Sequence, residues 1–404
     1  MRIRWGSEYR LFSHANLKDG MNHRSGTDHR RQGVAMKIRY MIGAVALSLY
    51  ASSAWSQSSV TLYGLIDEAI RYDNHQTPSG GHNITMGTGG AILGSRWGLR
   101  GVEDLGAGTK AIFTLESGFI ANTGAMAFPT PSGQTRIFGR QAFVGLSKTG
   151  WGTLTFGRQY LLAYLMGASH DTFAFANYAA TWGFQAAGLM GGARLDNTVQ
   201  YSSDNFHGFR LNGAYTFGGV AGDIHRNSSP AVSVGYDNGA LSVGVAYQIV
   251  NDIGGEVPAN SGYGNTYFGI AIPQSSQKIF MAGATWTLSN AALYAQYIYS
   301  HVYPADYRND SMSLGAAYRF SPAWEIRDAV YVDILHHAAG EGARITTGPI
   351  LFYHVSKRTD LYTGFNYNHL SGQWTKLAST SGFTQSFNGY NSLFEGVLGM
   401  IHRF

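Results

Sequence analysis

The sequence predicts an all-β protein in which sixteen antiparallel strands close into a transmembrane β-barrel. Three observations lead to this prediction. Apolar residues alternate with polar or small ones from residue 58 to residue 404, the connections between alternating segments are short and long in turn, and only 13% of the 404 residues are charged. Soluble domains usually carry about 25% charged residues. The low charge and the two-residue period together favour a membrane protein built from strands.

The alternation is clear in residues 194–202. One face of this segment collects Arg194, Asp196, Thr198, Gln200 and Ser202, and the other collects Leu195, Val199 and Tyr201. A strand places successive side chains on opposite faces, so the pattern predicts one polar and one apolar face. No segment after residue 57 shows a helical period that competes with this alternation.

Sixteen segments share this alternation. They span residues 58–73, 93–103, 109–120, 136–147, 152–160, 193–203, 209–219, 230–237, 240–250, 277–288, 291–302, 310–320, 324–337, 344–356, 359–370 and 392–404. Seven connections are tight turns, and the longer loops between them include 74–92, 161–192, 251–276 and 371–391. This arrangement is typical of outer-membrane barrels, because a sheet in hydrocarbon must close on itself to satisfy its backbone. Sixteen strands leave an aqueous lumen.

The first 56 residues are interpreted as lying outside the barrel. Lys37 and Arg39 precede an apolar stretch at 40–50, and Ala54 and Ser56 place small residues at the two positions that a signal peptidase reads. This pattern predicts a secretory signal peptide at 36–56. Residues 1–35 are basic and lack apolar periodicity, which indicates an extension upstream of the true start or a disordered tail. The β-barrel is therefore assigned to 57–404.

The barrel has a different net charge from the whole chain. The sequence contains 29 Lys and Arg and 24 Asp and Glu, of which residues 1–56 hold nine and three. Residues 57–404 are left with 20 basic and 21 acidic side chains, a net charge of −1. The sequence pI of about 9.2 therefore gives no reason to expect nucleic acid as a partner.

The signal peptide can be tested directly. The mature protein is expected to begin near Gln57, and deletion of residues 1–35 is expected to leave export unchanged, because the predicted signal peptide starts at Met36. N-terminal sequencing of outer-membrane material measures the first point. Material that retains residues before Met36 would contradict the assignment.

The sequence offers little for catalysis or metal binding. It contains no cysteine, which excludes disulfides and thiolate chemistry. Two clusters could serve an enzyme or a metal site, namely His170 with Asp171, and His336 and His337 with Glu341. Neighbouring strand residues point to opposite faces, whereas catalytic groups have to lie within about 3 Å of each other. No catalytic residue, metal or cofactor is therefore predicted.

Eight short motifs run through the predicted barrel in order. They are SVTLYGLID at 59–67, GSRWGLRG at 94–101, EDLG at 103–106, FTLESGF at 113–119, FGRQAFVGL at 138–146, FGRQ at 156–159, SKRTDLY at 356–362 and HRF at 402–404. In these motifs the sequence resembles the general trimeric porins of Gram-negative outer membranes, especially those of β-proteobacteria. The last motif ends an alternating strand with phenylalanine, as the barrel-assembly signal of that family does.

The resemblance implies a function and an assembly. It implies an outer-membrane porin that forms homotrimers among lipid and lipopolysaccharide, with a water-filled channel for passive diffusion of small hydrophilic solutes and ions. The third long loop, at 161–192, would fold into the pore and form a constriction, which fits the rarity of loops of about 30 residues without a function. An enzyme and a channel specific for one substrate are the alternatives.

The resemblance also assigns the residues of the constriction. By motif position, its basic side consists of Arg96, Arg140 and Arg194, and its acidic side of Glu116 and Asp171. Alternation independently directs Arg96, Glu116 and Arg194 towards the lumen, whereas the inward direction of Arg140 rests on the resemblance. Opposite charges across a narrow opening would orient dipolar solutes.

Two further arginines, Arg100 and Arg158, could join the basic side. The simpler interpretation of all these charges is that they solvate a polar lumen without forming a constriction. The sequence leaves the preference for anions or cations open, because the lumen and loop charges nearly cancel.

Overall fold

The computed structural model describes residues 58–86, 92–128, 134–176, 193–252, 266–267, 270–271, 275–378 and 388–404. The predicted extension and signal peptide lie outside the described residues, as does 177–192, the second half of the predicted third loop.

The described residues form twenty strands and two helices. The strands are β1 (Ser59–Asp73), β2 (Asn83–Met86), β3 (Arg96–Gly106), β4 (Thr109–Gly118), β5 (Gln141–Lys148), β6 (Gly152–Tyr160), β7 (Arg194–Ser202), β8 (Phe209–Thr216), β9 (Ser229–Asp237), β10 (Leu241–Val250), β11 (Thr266–Tyr267), β12 (Ile270–Ala271), β13 (Ser276–Thr287), β14 (Ala291–Tyr303), β15 (Tyr307–Arg319), β16 (Trp324–His337), β17 (Gly340–Thr347), β18 (Ile350–His354), β19 (Thr359–Leu370) and β20 (Ser392–Arg403). The helices are α1 (Leu162–Ser169) and α2 (Gln373–Ala378).

Sixteen strand positions make up a closed antiparallel wall. Successive wall strands pair with each other around the ring, and β1 closes it by pairing with β20. β17 and β18 share one position between β16 and β19. β2 pairs only with the loop end of β1 and is not counted as a wall position. β11 and β12 form a separate hairpin. The prediction of a sixteen-stranded barrel is confirmed.

One wall position is interrupted. The alternation predicts a single strand over 344–356, but β17 ends at Thr347 and β18 begins at Ile350. Pro349 has no N–H to donate to a ladder. Gly348 lies so close to the next strand that a β-carbon would overlap the backbone oxygen of Phe365. The Gly-Pro pair therefore explains the break.

The alternation gives the wall two chemically different faces. Large apolar side chains are exposed on the outer face, among them Val60 and Leu314 with 64% and 69% of their surface accessible. Polar side chains such as Gln277 and Ser311 are fully buried on the inner face. Water disfavours such a continuous apolar surface, whereas the hydrocarbon of a bilayer accommodates it.

The two ends of the barrel have different connections. At one end, here called the turn end, seven short connections join consecutive strands. At the other, the loop end, lie the longer connections, which include 119–140, 161–193 and 371–391. The connections 304–306 and 338–339 also lie at the loop end but are as short as turns, because β15 and β17 begin earlier than the alternation predicts.

Both helices are short and lie inside predicted loops, where the sequence shows no helical period. α1 falls in 161–192 and α2 in 371–391. Six of the eight residues of α1 are buried, and its sequence, LAYLMGAS, has no polar stripe that would produce a helical period. Eight residues are also too few to reveal one. The part of the chain that the structure describes contains no helix long and apolar enough to cross a membrane.

The seam between β1 and β20 is held by contacts at both ends. At the turn end, the ring of Phe404 fills the space beside Gly64, where a β-carbon would lie 2.5 Å from the ring. The backbones of these two residues also exchange hydrogen bonds of 3.2 and 3.0 Å. At the loop end, the ring of His75 stacks on that of Tyr390 with centroids 3.9 Å apart.

Candidate functional site

Four of the predicted site residues lie together near the loop end of β3 to β7. Arg96 begins β3, Arg194 begins β7, Arg140 directly precedes β5, and Glu116 lies on β4. The pairing of Arg96 with Leu65, which is 1% exposed, places Arg96 on the inner face. All four predicted side chains are buried. They form a compact group and are not separate solvated charges.

Glu116 is the counter-charge of this group. Its Oε1 accepts a hydrogen bond of 2.6 Å from Nε of Arg140, and its Oε2 accepts one of 2.9 Å from the hydroxyl of Tyr63. The guanidinium of Arg100 lies 3.9 Å from the centre of the Tyr63 ring. The structure thus places Glu116 on the same side as the arginines, whereas the resemblance implies an opposing acidic side.

Tyr160 joins Arg140 to Arg194. It ends β6 and pairs directly with Arg194 on β7. Its hydroxyl oxygen accepts one hydrogen bond from each guanidinium, both of 2.7 Å. The guanidinium carbon of Arg194 lies 4.3 Å from the centre of the Tyr160 ring and 4.5 Å from that of Phe128. Two positively charged groups therefore meet at one aromatic site.

A bulge between β6 and β7 shapes this region. The register shifts between Gly157 and Gln159, with φ of 136° at Gly157 and 53° at Asn197. An extra residue in one strand reverses its alternation and turns its side chains. The bulge therefore divides the polar face predicted for 194–202, and Leu195, expected on the outer face, is buried in the apolar core.

A second acid, Asp196, pairs with two more arginines. Its carboxylate accepts a hydrogen bond of 2.7 Å from Arg136 and one of 2.6 Å from Arg158. Arg158 also donates from Nε to the backbone oxygen of Gly139 at 2.8 Å. Arg158 thus holds the connection before β5 against β7.

The site carries an excess of positive charge. The arginine cluster is defined here as Arg96, Arg100, Arg136, Arg140, Arg158 and Arg194. The ion pairs described for it involve two carboxylates, those of Glu116 and Asp196. In the part of the chain that the structure describes, the six guanidinium groups outnumber the two carboxylates that pair with them, so the local potential is positive, and low-dielectric walls strengthen it.

The chain continues from β6 along the inner face of the wall. The inward segment, residues 161–176, includes α1, which contacts β8, β9, β10 and β13. Gln248 on β10 accepts a hydrogen bond of 3.1 Å from the backbone N–H of Ala163, and Gln296 on β14 donates one of 2.7 Å to the backbone oxygen of Gly167. Both glutamines are buried on the inner face.

Glycines make room for the inward segment. A β-carbon at Gly244 would lie 2.5 Å from Met166, and one at Gly283 would lie 2.6 Å from His170. A β-carbon at Gly315, two strands further along the wall, would overlap the hydroxyl of Thr172. Side chains at these inward positions would push the segment away from the wall.

Asp171 attaches the inward segment to β16. Its Oδ2 accepts hydrogen bonds from the backbone N–H groups of Phe173 and Phe175, at 2.9 and 3.0 Å, and its Oδ1 accepts one of 2.9 Å from the hydroxyl of Tyr331. Burial raises the pKa of this carboxyl. These hydrogen bonds are made within the segment and to β16, and none of them reaches the arginine cluster.

The two clusters considered for catalysis differ in their contacts. Nδ1 of His170 is 3.0 Å from the backbone oxygen of Met166, and burial lowers the pKa of this imidazole, while the neighbouring Asp171 is bound to β16. His336 contacts Glu341 at 2.8 Å near the loop end. Within the described ranges, no group of three or more His, Asp or Glu residues could hold a metal.

A comparison with protein families identifies the fold. The sequence model of the family described as Gram-negative porin matches residues 43–373, which is most of the chain. The chain belongs to the Gram-negative porins. As a member of this family, it is an outer-membrane protein. Among characterised relatives, this porin is 34% identical to an outer membrane porin protein of Bordetella pertussis over 256 residues, 56% of this chain and 65% of the relative's length.

Solved structures share the fold of this porin. The anion-selective porin from Comamonas acidovorans covers 86% of this chain over 100% of its own length, with a TM-score of 0.67 and 24% identity. A trimeric form of OmpT, an outer membrane protein of Vibrio cholerae, covers 86% over 99% of its own length, with a TM-score of 0.60 and 15% identity.

Several residues of this porin's site were not predicted from the sequence. Asp196 shares a predicted face with Arg194, and that proximity could have identified it as a site acid. Tyr160 and Phe128 gave no such signal, because their partners lie on other strands. The contact between Asp171 and Tyr331 could not be predicted for the same reason, because the two residues are 160 positions apart.

Proposed function

We propose that the chain forms a water-filled channel in the outer membrane, through which small hydrophilic solutes and ions diffuse passively with a preference for anions. The observation that carries this proposal is the arginine cluster, in which Arg96 lies on the inner face of a closed wall of sixteen strands and Arg140 binds Glu116 on that same face. A barrel of this size is too wide for its own side chains to fill.

In this proposal Arg96, Arg140, Arg194 and Glu116 form the basic side of the constriction. The inward segment, which contains Asp171, narrows the lumen from the other side. Asp171 holds the inward segment in place and contributes little charge to the lumen, because its carboxylate is buried and hydrogen-bonded. A unit charge a few Å from a permeating ion at intermediate dielectric contributes on the order of 1 kcal/mol. The excess of arginine over carboxylate therefore favours anions.

We infer a homotrimer embedded in outer-membrane lipid and lipopolysaccharide. The exposed apolar outer face of the wall supports a lipid environment. The trimeric form of a protein with the same fold supports the number of subunits, and the anion-selective character of the Comamonas porin agrees with the charge of the arginine cluster.

Recordings from planar bilayers test this function. The purified protein is expected to be a detergent-resistant, heat-modifiable trimer that inserts with three equal conductance steps and shows a reversal potential on the anion side in a KCl gradient. Folded trimers without conductance would contradict the channel. A cation-side reversal potential would contradict the anion preference, and monomers that conduct in single steps would contradict the trimer.

A further inference from the structure

We propose that Tyr160 and Phe128 are positioning residues that hold Arg140 and Arg194 in one orientation and thereby set the anion preference of the channel. This inference rests on the proposed function. Neither aromatic residue carries charge, so both would act through the arginines that they touch.

The hydroxyl of Tyr160 brings two like charges together. Its oxygen accepts hydrogen bonds of 2.7 Å from both Arg140 and Arg194. Two guanidinium groups this close repel each other, and an oxygen acceptor shared between them offsets that repulsion because bonds to charged donors are strong. Without the oxygen, the two side chains would separate, while Arg140 would remain tied to Glu116.

Phe128 restricts the same arginines from a different part of the chain. The centre of its ring lies 4.5 Å from the guanidinium carbon of Arg194 and 5.7 Å from that of Arg140, within the range of cation–π attraction. Its backbone has a φ of 62°, which is uncommon for a residue with a side chain. A non-glycine residue is held in this conformation only when its surroundings impose it.

Two glycines create the space that Phe128 occupies. A β-carbon at Gly118 would lie 2.8 Å from the Phe128 ring, and one at Gly139 would lie 2.9 and 3.0 Å from the backbone oxygens of Ala127 and Phe128. Gly118 ends β4 and Gly139 lies just before Arg140. The absence of side chains at Gly118 and Gly139 therefore leaves room for the Phe128 ring beside the arginines.

The aromatic contacts also link the arginines to the inward segment. The ring of Tyr160 stacks on that of Tyr164 in α1, with centroids 5.0 Å apart and planes 18° apart. Tyr164 in turn makes an edge contact with Phe175 at 5.7 Å. The orientation of the arginines and the position of the inward segment are thus fixed by one continuous group of rings. Groups held in place in this way keep their field directed at the same point as ions pass.

Replacement of Tyr160 by phenylalanine tests the role of the hydroxyl, since it keeps the ring. The ratio of chloride to potassium permeability in Tyr160→Phe trimers is expected to fall roughly threefold, as charge moves away from the ion path. In an Arg194→Gln background the same change is expected to have little further effect. The control is Tyr201→Phe, which removes a hydroxyl from the outer face of the neighbouring strand, β7.

Replacement of Phe128 by glycine supplies a second, independent variant. Glycine adopts a φ of 62° without strain, so the change removes the ring and leaves the backbone path available. It is also expected to lower the permeability ratio. An unchanged ratio in both variants, measured on an anion-selective wild type, would overturn the positioning role. An equal effect of Tyr160→Phe with and without Arg194 would also overturn it, whereas a wild type without anion preference would overturn the proposed function itself.

Discussion

Replacing Arg96 and Arg194 together by glutamine is expected to lower the ratio of chloride to potassium permeability about tenfold. The double change removes two positive charges from the arginine cluster, where buried surroundings screen charge less than open water does. If each charge contributes on the order of 1 kcal/mol to a passing anion, their joint loss corresponds to about one order of magnitude or more. Reversal potentials in a KCl gradient measure the ratio.

A matched control removes the same charge elsewhere. Arg226 and Arg358 are exposed on connections away from the cluster, so their double replacement by glutamine should leave the reversal potential nearly unchanged. If the two double variants behave alike, the selectivity follows the net charge of the protein, and Arg96 and Arg194 are ordinary solvated lumen residues.

Introducing a valine at Gly283 is expected to release the inward segment and to increase the single-channel conductance. The added β-carbon would lie 2.6 Å from that of His170, too close for any real contact. Overpacking of this kind costs about 1–3 kcal/mol, which favours the released state roughly 5- to 150-fold. Liposome swelling with sugars of increasing size is expected to show uptake of larger solutes than the wild type admits.

Asp171→Ala should produce the same result by a different route. It removes the acceptor of two backbone N–H groups and of the Tyr331 hydroxyl. The control is Gly213→Val on the outer face, where a β-carbon meets nothing within 4 Å. Larger conductance in Gly213→Val as well would show that added bulk in the wall, and not release of the segment, causes the change. Unchanged conductance in both Gly283→Val and Asp171→Ala would mean that the segment does not narrow the pore.

The wall could be predicted from the sequence because its signal is local. Each strand has an apolar face towards lipid and a polar face towards the lumen, so a period of two appears in every segment. The exceptions are local as well. Pro349 breaks one strand without disturbing its alternation. α1 has no period to detect because six of its eight residues are buried and Ser169 is its one strongly polar residue.

The site was only partly predictable because its geometry depends on distant contacts. The resemblance placed Arg96, Arg140, Arg194 and Glu116 in one region, and the structure brings these four together. It gave no information on which charges pair, so Glu116 appeared as an opposing acid although it binds Arg140 directly. Asp171 appeared as a lumen charge, yet its oxygens accept hydrogen bonds inside the segment and from β16. The constriction itself stays a prediction.

The pairing of β1 with β20 decides when this molecule can finish folding. Arg71 and Glu395, which meet across the seam at 2.9 Å, are separated by 324 positions in the chain. Contacts of such long range form slowly, because the chain between them loses much conformational entropy before the pairing stabilises it. Until the last strand arrives, the first one exposes an unpaired edge that can pair with other chains. The rate of correct assembly should therefore depend on how well β1 is shielded during that interval.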